Sequence, residues 1–241
     1  MAALRPKAES PPRQQVWEMF DRIAHRYDLL NRLLSFGRDV SWRKQVVRHL
    51  PPGAGLRVLD LATGTADVLI ALARSGRLAA GVGLDRSAGM LALGVRKIRD
   101  RGLADRLSLV QGDAVNLGLR ANAFDAVTMA FGIRNVTDMD AGLREMLRIL
   151  TPGGRALILE FSLPGNRAFR GVYLAYFRHV LPRIGGLLSG DAHAYRYLNQ
   201  TVETFPYGEA FCEHMRRAGF HRVAARSLTF GIATLYAGEK P

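Results

Sequence analysis

Apolar residues at Val16, Phe20, Ile23, Ala24 and Tyr27 recur at helical spacing and predict an amphipathic helix near the start of the chain. A second helix is expected over Ser41–Leu50, stopped by Pro51-Pro52-Gly53. From there the pattern changes. Short apolar runs between glycine-rich turns, at Leu56–Ala62, Ala80–Leu84, Leu107–Val110, Phe124–Phe131 and Arg155–Phe161, predict buried parallel strands. Helical patterns separate them. One covers Val68–Ala73. Another carries Met90, Leu91, Val95 and Ile98, with Ser87 placed to cap it. A third carries Met139, Leu143, Met146, Leu147 and Leu150, opened by Thr137 and Asp140 as a capping box. Thr151-Pro152-Gly153-Gly154 reads as a turn. Glu209–Ala218 reads as a helix, and Phe220–Ala225 and Leu228–Ala237 as two closing strands, an antiparallel pair. Strands alternating with helices imply an α/β fold whose mostly parallel sheet is covered on both faces.

The segment from Leu163 to Leu198 breaks this rhythm and is too long for a plain connection. Within it Phe169, Val172, Tyr173, Tyr176 and Val180 are expected on one helical face, with Arg167, Arg170 and Arg178 opposite. Such a helix suits an interfacial or tail-binding role, although amphipathicity is also the default of any surface helix. Residues 1–15 read as a short disordered tail without the apolar core of a signal peptide.

Composition adds one unusual number. The 241 residues carry a formal net charge of +13, and all but four of the 34 Lys+Arg positions are arginine. Such an excess favours anionic partners, whether nucleic acid, an anionic membrane surface or acidic substrates. No Lys/Arg-dense run or added binding module supports nucleic acid. The single cysteine, Cys212, excludes an intramolecular disulfide framework and a cysteine-clustered metal site, and fits a reducing, cytoplasmic setting.

Candidate chemistry gathers at the strand ends, where open α/β sheets bind their ligands. Gly64, in Asp60-Leu61-Ala62-Thr63-Gly64-Thr65, permits close backbone approach, and the N–H groups after it suit a carboxylate. Asp85, at the end of the second strand, is placed to accept from two ribose hydroxyls. Asp113 can accept from an exocyclic amine, and Ala114 offers a backbone N–H to a ring nitrogen. The set describes an adenosine ligand without a phosphate, because a dinucleotide loop would require G-x-G-x-x-G and only Gly64 is present. S-adenosyl-L-methionine (SAM) matches best. Asp60, Asp85 and Asp113 at successive strand ends carry more weight together than singly, since an acid after a strand often only caps the next helix.

Four ordered motifs carry a family resemblance from Val16 to Gly238: Tyr27-Asp28-Leu29-Leu30-Asn31 through Leu34-Ser35 and Trp42; Ala130-Phe131-Gly132-Ile133-Arg134-Asn135-Val136-Thr137; Arg148 and Pro152-Gly153-Gly154 leading to Glu160-Phe161-Ser162; and Gly190-Asp191-Ala192 with Tyr195, Tyr197 and Leu198. The chain resembles the SAM-dependent methyltransferases that C-methylate prenylated quinols in menaquinone and ubiquinone synthesis. The resemblance implies a class I, Rossmann-like fold with a seven-stranded sheet, the last strand antiparallel. Residues 16–241 would form one domain, with an N-terminal helical lid (16–50) and a helical substrate insert (163–198). SAM contacts carried over fall on Thr65, Asp85, Asp113 and Ala114, beside Asp60 and Gly64. The sequence departs from the pattern at Ala66, which replaces a third loop glycine, at Leu30, which replaces a methionine, and at Asp39, where a histidine is usual.

The implied reaction replaces a ring C–H with C–CH3, so the site must stabilise or accept the proton of a quinol hydroxyl. Arg134 is expected at the quinol oxygen with Asn135 orienting it, although a salt bridge would also suit that arginine. Asp191, His193 and Tyr195 are candidate proton acceptors. Tyr27, Asn31, Glu160 and Tyr197 are candidate substrate contacts. The favoured substrate is demethylmenaquinol, with 2-methoxy-6-polyprenyl-1,4-benzoquinol close behind. The alternatives are a SAM methyltransferase for another small molecule and a non-catalytic SAM- or lipid-binding protein. The prenyl tail implies peripheral contact with the inner face of an anionic membrane, and a homodimer or biosynthetic complex is a further expected partner.

Overall fold

The computed structural model describes residues 37–180 and 192–241, together with positions 17–19, 21, 22, 24, 25, 28, 32, 35 and 183. The expected tail at 1–15, along with Tyr27, Asn31 and Asp191, lies outside these residues. Helix α1 (Arg38–Arg48) precedes β1 (Leu56–Leu61), α2 (Asp67–Ala73), β2 (Leu78–Asp85), α3 (Ala88–Asp100) and β3 (Leu107–Gln111). Then come β4 (Phe124–Ala130), α4 (Met139–Ile149), β5 (Leu150–Phe161), α5 (Arg167–Ala175), α6 (Ala192–Thr204), α7 (Glu209–Arg217), β6 (His221–Leu228) and β7 (Ala233–Glu239). The strands form one sheet in the order β3-β2-β1-β4-β5-β7-β6, and β7 alone runs antiparallel to its neighbours. The strand order reverses between β1 and β4, which both continue into loops at the same end of the sheet.

Central strands are apolar on both faces because helices cover both. On one face Leu143 and Met146 of α4 and Phe211 and Met215 of α7 pack with Val127, Ile158 and Tyr236 of the sheet. On the other, Trp42 and Val46 of α1, Leu69 and Leu72 of α2 and Ile98 of α3 pack with Val58, Leu157 and Leu235. A smaller third cluster joins the 163–204 segment to the body through Leu163, Tyr173, Phe177, Tyr197 and Val202.

Several expectations shift by a physical cause. Ser87 caps α3 as expected, its hydroxyl accepting from Met90 N–H at 3.1 Å. Helix α4 is capped by Asp138 rather than Thr137, the carboxylate accepting from Ala141 N–H at 2.9 Å. The Thr151–Gly154 stretch is a bulge inside β5 rather than a free turn. Phe124 pairs with Leu150 and Ala126 next with Arg155, while Gly153 and Gly154 exchange backbone hydrogen bonds with Lys240. The insert helix buries a narrower stripe than its pattern suggests. Tyr173 and Phe177 are buried and stack at 5.2 Å, whereas Phe169, Val172 and Val180 stay exposed. The closing strands are interrupted at Thr229–Gly231 by a 3-10 turn. Among the described residues, no helix is long and apolar enough to cross a membrane.

Met146 is fully buried and Val172 is 69% exposed. Met146→Ala is therefore expected to cost about 2–5 kcal/mol in urea unfolding, while Val172→Ala stays within about 0.5 kcal/mol of the parent.

Candidate active site

The loops leaving β1, β2, β3 and β4 border a cleft open to solvent. Its floor is the reversal point of the strand order, the place where α/β sheets bind ligands. Ala62 and Gly64 follow β1, Asp85 ends β2, Gly112, Asp113 and Ala114 follow β3, and Phe131, Gly132 and Asn135 follow β4. Trp17 closes one side.

The loop after β1 is held in an uncommon backbone. Ala62 and Ala66 are left-handed, with φ of 49° and 65°, around Gly64 at 55°. Ala66, the departure from the glycine-rich pattern, thus occupies a conformation that glycine adopts without strain. Asp60 fixes this loop from beneath. It is 1% exposed and accepts from the hydroxyls of Thr63 at 2.6 Å and Thr128 at 2.5 Å. It supports the cleft without lining it.

Asp85 is placed as expected. Its carboxylate accepts from Gly64 N–H at 2.8 Å and from Ser87 N–H at 2.9 Å, bridging two loops. The Arg86 N–H is a third backbone donor to it, and the carboxylate lines the cleft. Burial raises its pKa, against the pull of the backbone N–H groups. Asp113 accepts from Val115 N–H at 3.2 Å and pairs with Arg86 at 3.3 Å, with its side chain still 37% exposed.

Thr65 is not on the cleft wall. Its hydroxyl donates to Asp28 at 2.7 Å and accepts from Lys97 Nζ at 2.8 Å, and Lys97 also meets Asp67 at 2.8 Å. This cluster ties the N-terminal segment to the first loop. A second tie is Asp21, which accepts from Gly89 N–H at 2.9 Å and from the Ser87 hydroxyl at the start of α3. Asp39, standing where a histidine is usual, is buried and accepts from Ser35 Oγ at 3.0 Å beside Arg43 at 3.0 Å. These contacts, like the place of Trp17, escaped the sequence reading. The only hint was acids in an otherwise basic segment.

Arg134 departs most from expectation. It sits in the 3-10 turn Ile133–Asn135, 7% exposed and behind the cleft wall rather than on it. Its Nη1 donates to Glu160 Oε1 and to the Phe131 carbonyl, both at 2.6 Å, and its guanidinium lies 5.5 Å from the Phe161 ring centroid. Its Nε is buried without a partner among the described residues. Glu160 is fully buried at the end of β5 and draws the cation inward. It also accepts from Phe161 N–H at 2.8 Å. Burial pushes the Glu160 carboxyl up, and Arg134 and the backbone donors oppose that shift. The pair holds the turn that presents Phe131 and Asn135 to the cleft. Asn135 Oδ1 accepts from the buried Tyr197 hydroxyl at 3.2 Å, which orients its amide. Tyr195 belongs to α6, but its side chain lies outside the described residues.

The donor set fits SAM. Two carboxylates stand at successive strand ends in a cleft whose apolar wall is Leu84, Met90, Phe131 and Val136, with Arg86, Asn135 and Thr137 as its further polar side chains. The approach of the first and fourth loops depends on Gly132, because a Cβ there would lie 2.5 Å from Ala62 Cβ. Together the fold and site define a class I SAM-dependent methyltransferase. The chain matches the ubiE/COQ5 methyltransferase family over residues 9–240 and belongs to it. It is 49% identical over 228 residues to "Ubiquinone/menaquinone biosynthesis C-methyltransferase UbiE" of Geobacter sulfurreducens, covering 94% of this chain and 89% of that protein. It is 48% identical to "Demethylmenaquinone methyltransferase" of Thermus thermophilus, covering 92% of this chain and 100% of that one. Among solved structures it shares its fold with Haemonchus contortus phosphoethanolamine N-methyltransferase 2 bound to SAM, at TM-score 0.68 and 17% identity, over 98% of this chain and 61% of that one. The [4+2]-cyclase SpnF aligns at TM-score 0.64 and 18% identity, over 96% and 97%.

Burial raises the Asp60 carboxyl from an ordinary 3.8 to about 6, against its two hydroxyl donors. A carboxyl raised by folding stabilises the fold while protonated, fully below about pH 4, and that contribution is lost as the pH rises through 6. In urea unfolding, Asp60→Asn should therefore gain on the parent between pH 4 and pH 7 by on the order of 3 kcal/mol. Parallel pH profiles would contradict this.

Proposed function

We propose that this chain transfers a methyl group to a ring carbon of a reduced prenylated quinol, demethylmenaquinol first and 2-methoxy-6-polyprenyl-1,4-benzoquinol second. One observation supports this most: Asp85, Asp113 and Asn135 share a single cleft in a chain that belongs to a quinone-biosynthesis methyltransferase family. Both relatives described above have menaquinone or demethylmenaquinone in their names, and only one has ubiquinone, which favours the naphthoquinol.

Bound SAM supplies a methyl group made electrophilic by its sulfonium. The protein's task is to hold both partners in line and to raise the electron density of the ring carbon. Asp85 holds the ribose hydroxyls, Asp113 with Ala114 N–H holds the adenine, and Gly64 N–H lies beside them. The Asn135 amide, oriented by Tyr197, donates to the quinol oxygen and stabilises phenolate character. Density then rises on the neighbouring carbon, which would form the new C–C bond as the methyl–sulfur bond breaks and then give up its ring proton. Arg134 and Glu160 position that amide, and Phe131 closes the wall against water. Alignment of this kind is worth up to about 7–11 kcal/mol, and proton management a further 10²–10⁴-fold, roughly. Asp191 and Tyr195 are the proposed proton acceptors, and Tyr27 and Asn31 the proposed substrate contacts of the N-terminal lid. Because each buried CH2 of the tail is worth about 0.8 kcal/mol, the enzyme is proposed to work peripherally at an anionic membrane. The exposed Arg167 and Arg170 and the +13 charge support that setting.

Purified protein with labelled SAM and each chemically reduced quinol tests the reading. Label is expected in demethylmenaquinol at the higher rate, and Asp85→Ala should weaken SAM binding by about tenfold or more. Absence of label from both quinols would overturn it.

A further inference from the structure

The cleft end of the sheet carries an apolar tip that neither the core nor the cleft uses. The turn Thr229–Gly231, between β6 and β7, has three successive left-handed residues, with φ of 46°, 57° and 93°. That backbone is costly for Phe230 and more so for the β-branched Thr229. Its result is that Phe230 is 84% exposed. Phe169 of α5 stands edge-on to it at 5.8 Å between ring centroids, and Val172 is exposed one turn further on. Arg167 and Arg170 are exposed on the same helix.

The tip is anchored to the site. Trp42 Nε1 donates to Thr229 Oγ1 at 2.8 Å, and Ser162 Oγ donates to the Gly231 carbonyl at 2.8 Å. The Trp42 ring packs on Phe131 at 5.9 Å and on Phe161 at 6.2 Å, and Phe131 lines the cleft. Phe161 pairs with Ala233 where β5 ends and β7 begins, so the tip projects from the end of the sheet that holds the cleft.

We propose that Phe230, with Phe169 and Val172, is a bilayer-inserting tip that seats the cleft end of the enzyme on an anionic lipid surface. The proposal rests on the prenylquinol reading, in which the substrate tail stays in the bilayer while the ring enters the cleft. Lipid is the occupant that fits. Three apolar side chains fall far short of the roughly 20–30 residues a side of a standard protein interface. Arginines beside aromatic rings complement acidic headgroups.

Co-sedimentation of the full chain with phosphatidylcholine–phosphatidylglycerol and pure phosphatidylcholine vesicles tests it. Phe230→Ala should weaken binding to the mixed vesicles by about tenfold or more, and Phe230→Trp should retain it. Arg167→Ala and Arg170→Ala should each weaken it roughly fivefold and reduce its salt dependence. Methylation of a short-tailed, water-dispersed quinol should be unchanged in Phe230→Ala, while that of a long-tailed quinol in mixed vesicles should fall with binding. Parental binding by Phe230→Ala, or a change of oligomeric state in its place, would overturn the tip. Failure of the parent to methylate the short-tailed quinol would instead strike the catalytic reading, independently of vesicle binding.

Discussion

Three carboxylates at the ends of β1, β2 and β5 must be removed from water together, and the site is built around that requirement. Asp60, Asp85 and Glu160 each need donors, because a charge taken into the interior without partners is very costly. The donors come from the turns leaving the sheet. Thr63 and Thr128 serve Asp60, Gly64 and Ser87 serve Asp85, and Arg134 and Phe161 serve Glu160. Satisfying the acids therefore sets the path of the loop after β1, the start of α3 and the turn after β4, which are the walls of the cleft.

This division of labour separates residues that line the cleft from residues that place them. Asp85 does both, since it bridges two loops and faces the cleft. Asp60, Thr65, Arg134 and Glu160 act from behind, through the loops they hold. The fold alone does not choose the chemistry, as the likeness to a [4+2]-cyclase shows. The choice lies in what lines the cleft, and here that is Asp85 and Asp113 beside an oriented amide and an aromatic wall.

Much of this architecture is legible in the amino-acid sequence. The alternation of apolar runs and helical periods locates the central strands, because strands covered on both faces must be apolar throughout, while the edge strands β3 and β6, largely exposed, are found by their place in that alternation. Asp85, Asp113 and Ala114 are legible as cleft residues because strand ends gather there whatever their partners. Arg134 could not be placed, because its burial depends on Glu160, which lies 26 residues further on and comes near only through the β4–β5 pairing. Thr65 is held off the cleft wall by its hydrogen bond to Asp28, 37 residues earlier. The bulge in β5 depends on Lys240 at the far end of the chain. Phe230 reads as strand core in a hydrophobic pattern, and nothing local to Thr229-Phe230 announces a left-handed turn. The missed features all rest on long-range pairing, which a one-dimensional pattern does not record.

The central claim, that Arg134 and Glu160 act as one positioning unit behind Asn135, is tested most directly by a double-mutant cycle. Arg134→Gln, Glu160→Gln and the double variant would be compared by kcat for methyl transfer to reduced demethylmenaquinol and by Kd for SAM, with circular dichroism as a check on folding. Each single variant should lose about 100-fold in kcat, as expected for a misplaced reacting geometry. SAM affinity should change little, and the double variant should be no worse than the poorer single. Losses that multiply in the double variant, or SAM affinity that falls in step with kcat, would contradict the account.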